Sequence, residues 1–137
     1  MLISSPKTLV KQNITKLFEL TNNCRNFSHY INSDQVKDMN VTEESCSFTI
    51  ENITTVNLKI LEKIPHSYIR FVAENDKNIP LFISLHFTPI SETETDVEAS
   101  LDIEIPIFLR PLVQKPLENF MKTISEKIKT NTENIEL

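Results

Sequence analysis

The sequence predicts an α+β fold in which a curved antiparallel sheet of about seven strands wraps around one long C-terminal helix, with two short helices after the first strand. Three observations predict it. Apolar and polar residues alternate in successive stretches between residues 45 and 105, the period of strands with one buried face. The gaps between these stretches are short and rich in Asn, Asp, Glu, Ser and Thr, as hairpins require, whereas parallel strands would need helical crossovers. After Pro106 apolar residues return at steps of three and four until about Lys129, the period of a helix.

Each element follows in order. Leu2 to Val10 reads as an opening strand in which Pro6 marks an edge or a bulge. Asn13 is a candidate N-cap for a short helix with Ile14, Leu17 and Phe18 on one face. Phe27, Tyr30 and Ile31 recur at the same spacing in a second helix, and both are too short to be stable unless they pack on something larger. A run of six strands begins at Val36. Its inward set is Cys46, Phe48 and Ile50; Val56, Leu58 and Ile60; Ile69, Phe71 and Ala73; Leu81, Ile83, Leu85 and Phe87; and Val97, Ala99, Leu101, Ile103 and Ile105. Leu109, Leu112, Val113, Leu117, Phe120, Met121, Ile124 and Ile128 form one broad stripe on a helix of about 20 residues, about 30 Å long. Pro111 falls in or near the first turn, where a missing N–H costs little. Pro116 is interior and is expected to bend the helix. Residues 1–130 read as a single domain, and 131–137, which lack periodicity, as a frayed tail.

The chain of 137 residues, 39% hydrophobic and 24% charged, suits one globular core. A net charge of -5 and a pI near 5.2 argue against a nucleic-acid partner, which normally meets a basic face. No stretch approaches the roughly 20 apolar residues of a membrane span. The N-terminus, broken by Lys7, Lys11 and Lys16, has no apolar signal-peptide core, so a cytoplasmic location is expected. Cys24 and Cys46 are too few and too far apart in sequence for a disulfide framework. The chain contains no glycine, which removes phosphate-cradling loops, the dinucleotide fingerprint and the glycine-flanked serine elbow. Turns needing positive φ must then fall on residues such as Asn52, Asn75 and Asn78.

Candidates for chemistry are sparse. The inward set contains no Asp, Glu, His, Lys or Arg, and its one polarisable group, Cys46, reads as a buried structural thiol. Asp96, Glu98, Asp102 and Glu104 alternate opposite an apolar face and read as a solvated outer surface. His29, His66 and His86 share no ligand spacing with each other or with the cysteines, so neither metal nor cofactor is expected. Tyr30, Tyr68 and Arg70 are the candidates for a polar end to an apolar pocket.

The order of elements, together with "ITKLFELTNNCRNFSHYI" (Ile14 to Ile31), "EESCSFTIENITTVNLKILEKIPHSYIRF" (Glu43 to Phe71) and "PIFLRPLVQKPLENFMKTI" (Pro106 to Ile124), resembles the START-like helix-grip superfamily. This superfamily, also called SRPBCC, holds the polyketide cyclase/dehydrase and lipid-transport proteins, and the likeness is greatest to short stand-alone bacterial members. In the hairpin after "SFTIE", Asn52 stands where such members are expected to have glycine. The resemblance implies a cavity between sheet and C-terminal helix. Candidate lining residues are Phe48, Leu58, Ile60, Phe71, Phe87, Leu101, Ile103, Phe108, Leu112, Phe120 and Met121. It also implies non-catalytic binding of a small hydrophobic ligand, such as a lipid, a quinone or an isoprenoid. Two alternatives stand beside it: an interaction module with a filled core and a protein partner, and a cyclase-type enzyme. Fold alone does not choose among them.

Overall fold

The computed structural model describes residues 1–31, 34–51 and 53–133. The chain runs β1 (Leu2–Ser4), β2 (Thr8–Val10), α1 (Ile14–Thr21), α2 (Cys24–Ile31), β3 (Val36–Val41), β4 (Ser45–Ile50), β5 (Thr54–Ile64), β6 (Tyr68–Asn75), β7 (Leu81–Ser91) and β8 (Glu94–Ile103). A 3-10 turn (Ile107–Leu109) then leads into α3 (Arg110–Glu133). Every strand pair is antiparallel, in the order β1-β8-β7-β6-β5-β4-β3, with β2 also on β8. This is the expected α+β architecture, a curved sheet closed by a long C-terminal helix.

Among the described residues the sheet has eight strands, because the opening strand divides at Pro6, which has no N–H for the ladder. Ser5 bridges the gap. Its amide donates to the Ala99 carbonyl at 2.8 Å, and its hydroxyl accepts from the Ala99 amide at 3.1 Å and from the Ser125 hydroxyl at 2.7 Å. All three residues are buried, so the Ser5 hydroxyl joins β8 to α3 in a place water does not reach. Ser5→Ala is expected to leave the Ala99 N–H and the Ser125 hydroxyl unpaired, costing about 1–3 kcal/mol in urea unfolding. A change within about 0.5 kcal/mol, the range of an ordinary surface substitution, would show the bridge to be dispensable.

The remaining local chemistry follows the sequence closely. Asn13 caps α1, its Oδ1 accepting from the Thr15 amide at 2.9 Å and the Lys16 amide at 3.4 Å. Without glycine, positive φ falls on Asp38 (56°), His66 (65°) and Asn78 (53°). Asn75 stabilises the turn holding Asn78: its Nδ2 donates to the Ile79 carbonyl at 2.7 Å and its Oδ1 accepts from the Ile79 amide at 3.0 Å. Asn52 lies outside the described residues.

The three helices cover the inner face of the sheet through aromatic contacts. Phe18 of α1 meets Phe87 of β7 edge-on at 6.1 Å, Phe27 of α2 stacks on Phe71 of β6 at 4.5 Å, and Phe120 of α3 lies 6.2 Å from Phe48 of β4. The end of α3 differs from expectation. The helix continues to Glu133, and Thr132 is fully buried. Gln12 Nε2 donates to the Thr132 carbonyl and the Lys11 amide to Glu133 Oε2, both at 2.8 Å, while Lys129 Nζ reaches Glu133 Oε2 at 2.7 Å. These bonds from the link between β2 and α1 fasten a turn that has no apolar periodicity of its own. Residues 134–137 of the expected tail lie outside the described part.

Candidate apolar binding site

Of the expected lining residues, Phe48, Leu58, Phe71, Phe87, Leu101, Ile103, Phe120 and Met121 are buried on the inner face of the sheet or on the facing side of α3, and Ile60 is half-buried. Leu58, Phe71, Leu101, Phe120 and Met121 are 0% exposed, so no water-sized space opens onto them. The middle of the grip is therefore filled by side chains.

Phe108 and Leu112 are a correction: they are 77% and 72% exposed. The helix turns about 100° per residue, and Leu112, five residues before the buried Leu117, stands about 140° away from it. Phe108 lies in the 3-10 turn before the helix begins. Ile107, which the sequence reading did not single out, is 76% exposed beside them. Its signal was its place between Pro106 and Pro111, ahead of the regular helix.

Tyr68 and Arg70 are a second correction, for they lie on the outer face of the sheet. Register pairs Ile69 with Leu85 and Phe71 with Ile83, all buried, and strand alternation sends the residues between them outward. Tyr68 rests against His86 at 5.0 Å, and the Arg70 guanidinium lies 4.3 Å over the Phe82 ring. Tyr30 is buried in α2, edge-on to Phe27 at 5.9 Å, and borders a surface depression with Leu20, Asn26, His29 and Asn131. These three polar groups therefore do not converge on one pocket.

The acid–base inventory of the interior is short. Among the described residues, no carboxylate, imidazole, ammonium or guanidinium side chain is fully buried, whereas Cys24, Cys46 and Tyr30 are. Burial pushes the Cys46 thiol up to about 12, with a smaller push from neighbouring Cys24, and burial pushes Tyr30 up to about 12. Burial also raises Cys24 against a lowering hydrogen bond at the Ile60 backbone. At neutral pH these groups are protonated and uncharged. His66 sits in the β5–β6 turn against Phe18 at 5.9 Å, and His86 is exposed.

The least buried part of α3 is its N-terminal end. From Leu117 onward the helix buries a full stripe, but between 110 and 116 no residue is fully buried. Val113 is half-buried on the inward side. Gln35 Nε2 donates to the Pro116 carbonyl at 3.1 Å, and the Gln35 carbonyl accepts from the Glu51 amide at 2.8 Å. Those bonds place the start of α3 at the end of the sheet that carries the β4–β5 and β6–β7 turns. Ile53, Ile79 and Ile105 are half-buried at that end. Pro111 and Pro116 lack amide protons within the same stretch, so its helical bonding is thinner than that of the buried part. Arg110 borders two surface depressions, of about 390 and 400 Å³, one against Met1, Phe82, Asp102 and Glu104 and the other against Leu2, Ser4, Gln114 and Glu118; neither is lined by Val113, Ile53, Ile79 or Ile105.

No protein-family model matches the sequence, and no curated protein matches it. Solved structures do match its shape. A protein from Thermus thermophilus superposes with a TM-score of 0.71 at 17% identity, over 96% of this chain and 97% of that one. A protein from Chromobacterium violaceum gives 0.72 at 10% identity, over 98% and 99% of the two chains. A START superfamily protein from Mycobacterium smegmatis gives 0.70 at 11% identity, again over 98% and 99%. At these identities the likeness speaks for architecture, and the chain has the START-like helix-grip fold.

Proposed function

We propose that this chain is a non-catalytic binding module that takes a small hydrophobic molecule, of lipid, quinone or isoprenoid character, at the N-terminal end of the grip. The observation that carries the reading is the uneven packing of α3, tightly buried from Leu117 onward and loosely covered before it. An apolar ligand entering between residues 110–116 and the sheet would cover Val113, Ile53, Ile79 and Ile105, which water now partly reaches. Burying such surface contributes roughly 25 cal/mol per Å². The fold supports the reading in general, since apolar ligands commonly sit in clefts between packed elements. The scarcity of buried charged groups favours holding a ligand over transforming it.

Titration with the fluorescent apolar probe N-phenyl-1-naphthylamine tests the site. Saturable binding is expected, weakened at least about tenfold by Val113→Asp, which places a charge where the apolar body would sit. Absence of saturable binding, or binding indifferent to Val113→Asp in a variant with native circular dichroism, would overturn the reading.

Ile107, Phe108 and Leu112 favour a second reading, a contact surface for a protein partner. Each is more than 70% exposed, and isolated apolar residues on a surface are ordinary whereas a cluster marks contact sites. The paired substitution Phe108→Ser and Leu112→Ser separates the two readings. It should leave stability and probe affinity nearly unchanged if Val113 marks the ligand site, and it should abolish association if the rim is the functional surface.

A further inference from the structure

The inward stripe of α3 does not stop at Leu117. A helix turns about 100° per residue, so Val113 stands about 40° from Leu117 around the axis and Arg110 about 20° from it. The stripe therefore runs back from Ile128, Ile124, Met121, Phe120 and Leu117, all buried, through the half-buried Val113, and ends on a guanidinium. Arg110 is itself half-buried, and its helical backbone, φ -56° and ψ -44°, keeps it in phase with the residues that follow.

Part of this guanidinium has left water without gaining a partner. Arg110 Nε is shut off from solvent and has no hydrogen-bond partner among the described residues. The ion pairs among those residues join Lys37 to Glu51, Lys59 to Glu74 and Lys129 to Glu133, and none includes Arg110. Three carboxylates share its surroundings, Asp102 and Glu104 on one of the depressions beside it and Glu118 on the other. All three are exposed, and Glu118 accepts from Gln114 Nε2 at 3.0 Å instead. A donor on a charged group that meets neither water nor an acceptor is costly to the fold. Position adds to the cost, because Arg110 opens α3, where the helix dipole disfavours a cation and favours an anion.

We infer that Arg110 receives the carboxylate of an amphipathic acid whose apolar chain lies against Val113. This rests on the proposed binding of an apolar molecule between residues 110–116 and the sheet, and it narrows the class of that molecule to long-chain monocarboxylic acids. The planar fork of a guanidinium matches the two oxygens of a carboxylate. A head entering from the inner side of α3 brings an acceptor to an Nε–H that water does not reach. The surroundings favour a single charge on that head, since a dianionic phosphate would meet stronger repulsion from Asp102, Glu104 and Glu118. The competing description is a cation balanced at a distance by those three carboxylates, which gives no preference for an acid.

Displacement of N-phenyl-1-naphthylamine by dodecanoate and by dodecanol, both kept too dilute to self-associate, decides between them. The two compounds share a chain and differ in the head. Dodecanoate should displace the probe at a concentration lower by about tenfold or more, the factor that a hydrogen bond to a charged group supplies. Arg110→Met should remove that preference. In the wild type, the Arg110 Nε–H resonance should shift on adding dodecanoate and stay in place with dodecanol, a measurement that does not depend on the folding of a variant. Equal displacement by acid and alcohol would overturn the role of Arg110 and leave binding of a neutral apolar ligand intact. A preference that survives Arg110→Met would do the same. Absence of saturable probe binding would overturn both.

Discussion

Phe120→Ala should destabilise the protein by about 3–5 kcal/mol, the cost of deleting a wholly buried phenyl ring from a core that relaxes only in part. Phe120 is 0% exposed and lies 6.2 Å from Phe48, at the place where α3 meets the inner face of the sheet. Its neighbours on the helix, Leu117, Met121 and Ile124, are equally buried, so there is no loose side chain to move into the gap. Urea unfolding should show a lower midpoint with an unchanged slope, the mark of lost stability without a change in the surface exposed. The variant should also take up benzene, which the wild type has no room for at this position, because a dry apolar void accepts such a guest. A loss below about 1 kcal/mol would indicate that the grip is not packed there, since a partly hollow interior has less contact to lose.

Stability should fall steeply as pH rises from about 9 to about 12, the interval bounded by ordinary and folded-state values of two buried groups. Cys46 titrates ordinarily at 9.0 and Tyr30 at 10.0, and burial pushes each up to about 12 in the folded chain. In that interval the unfolded chain has released protons that the folded chain still holds, so the unfolded state binds fewer and the slope of stability against pH is negative. The contribution is fully present below about pH 9 and is lost as pH climbs through the folded values. Holding one proton across one pH unit is worth roughly 1.4 kcal/mol, so the combined loss is of order several kcal/mol. Urea midpoints measured from about pH 8 to about pH 11 would report it, and Tyr30→Phe should flatten the upper part of the profile. A profile that Tyr30→Phe leaves unchanged would mean that the Tyr30 hydroxyl is already solvated in the folded state.

Much of the architecture was legible because two periodicities do not resemble each other. Alternation between residues 45 and 105 gave the five strands β4 to β8, and Asn13 gave the start of α1, since capping is a local property. The end of α3 was not legible, because Thr132 and Glu133 are held by Gln12 and Lys11 from the far end of the chain. Leu112 was misplaced for a different reason. A list of apolar residues at steps of three and four merges two sides of a helix when the list is long, and only the angle from Leu117 separates them.

The site was harder to read than the fold. Alternation already sent Tyr68 and Arg70 outward, and the structure places them over His86 and Phe82 on that outer face. Whether the inner face encloses space depends on how Phe27, Phe48, Phe71 and Phe120 interlock across elements far apart in sequence. No local pattern encodes that volume. The unpartnered Nε of Arg110 was equally hidden, for the sequence shows a cation at the start of the helix and not which carboxylates reach it.

In the proposed function the grip is filled in its middle and receives an apolar ligand only at the N-terminal end of α3. Methyl chemical-shift mapping by NMR during titration with decanol tests it most directly. Saturable shifts are expected at Val113, Ile53, Ile79 and Ile105, with Leu58, Leu101, Ile124 and Ile128 unmoved. Shifts concentrated at those buried methyls, or none at Val113 and its neighbours, would contradict it.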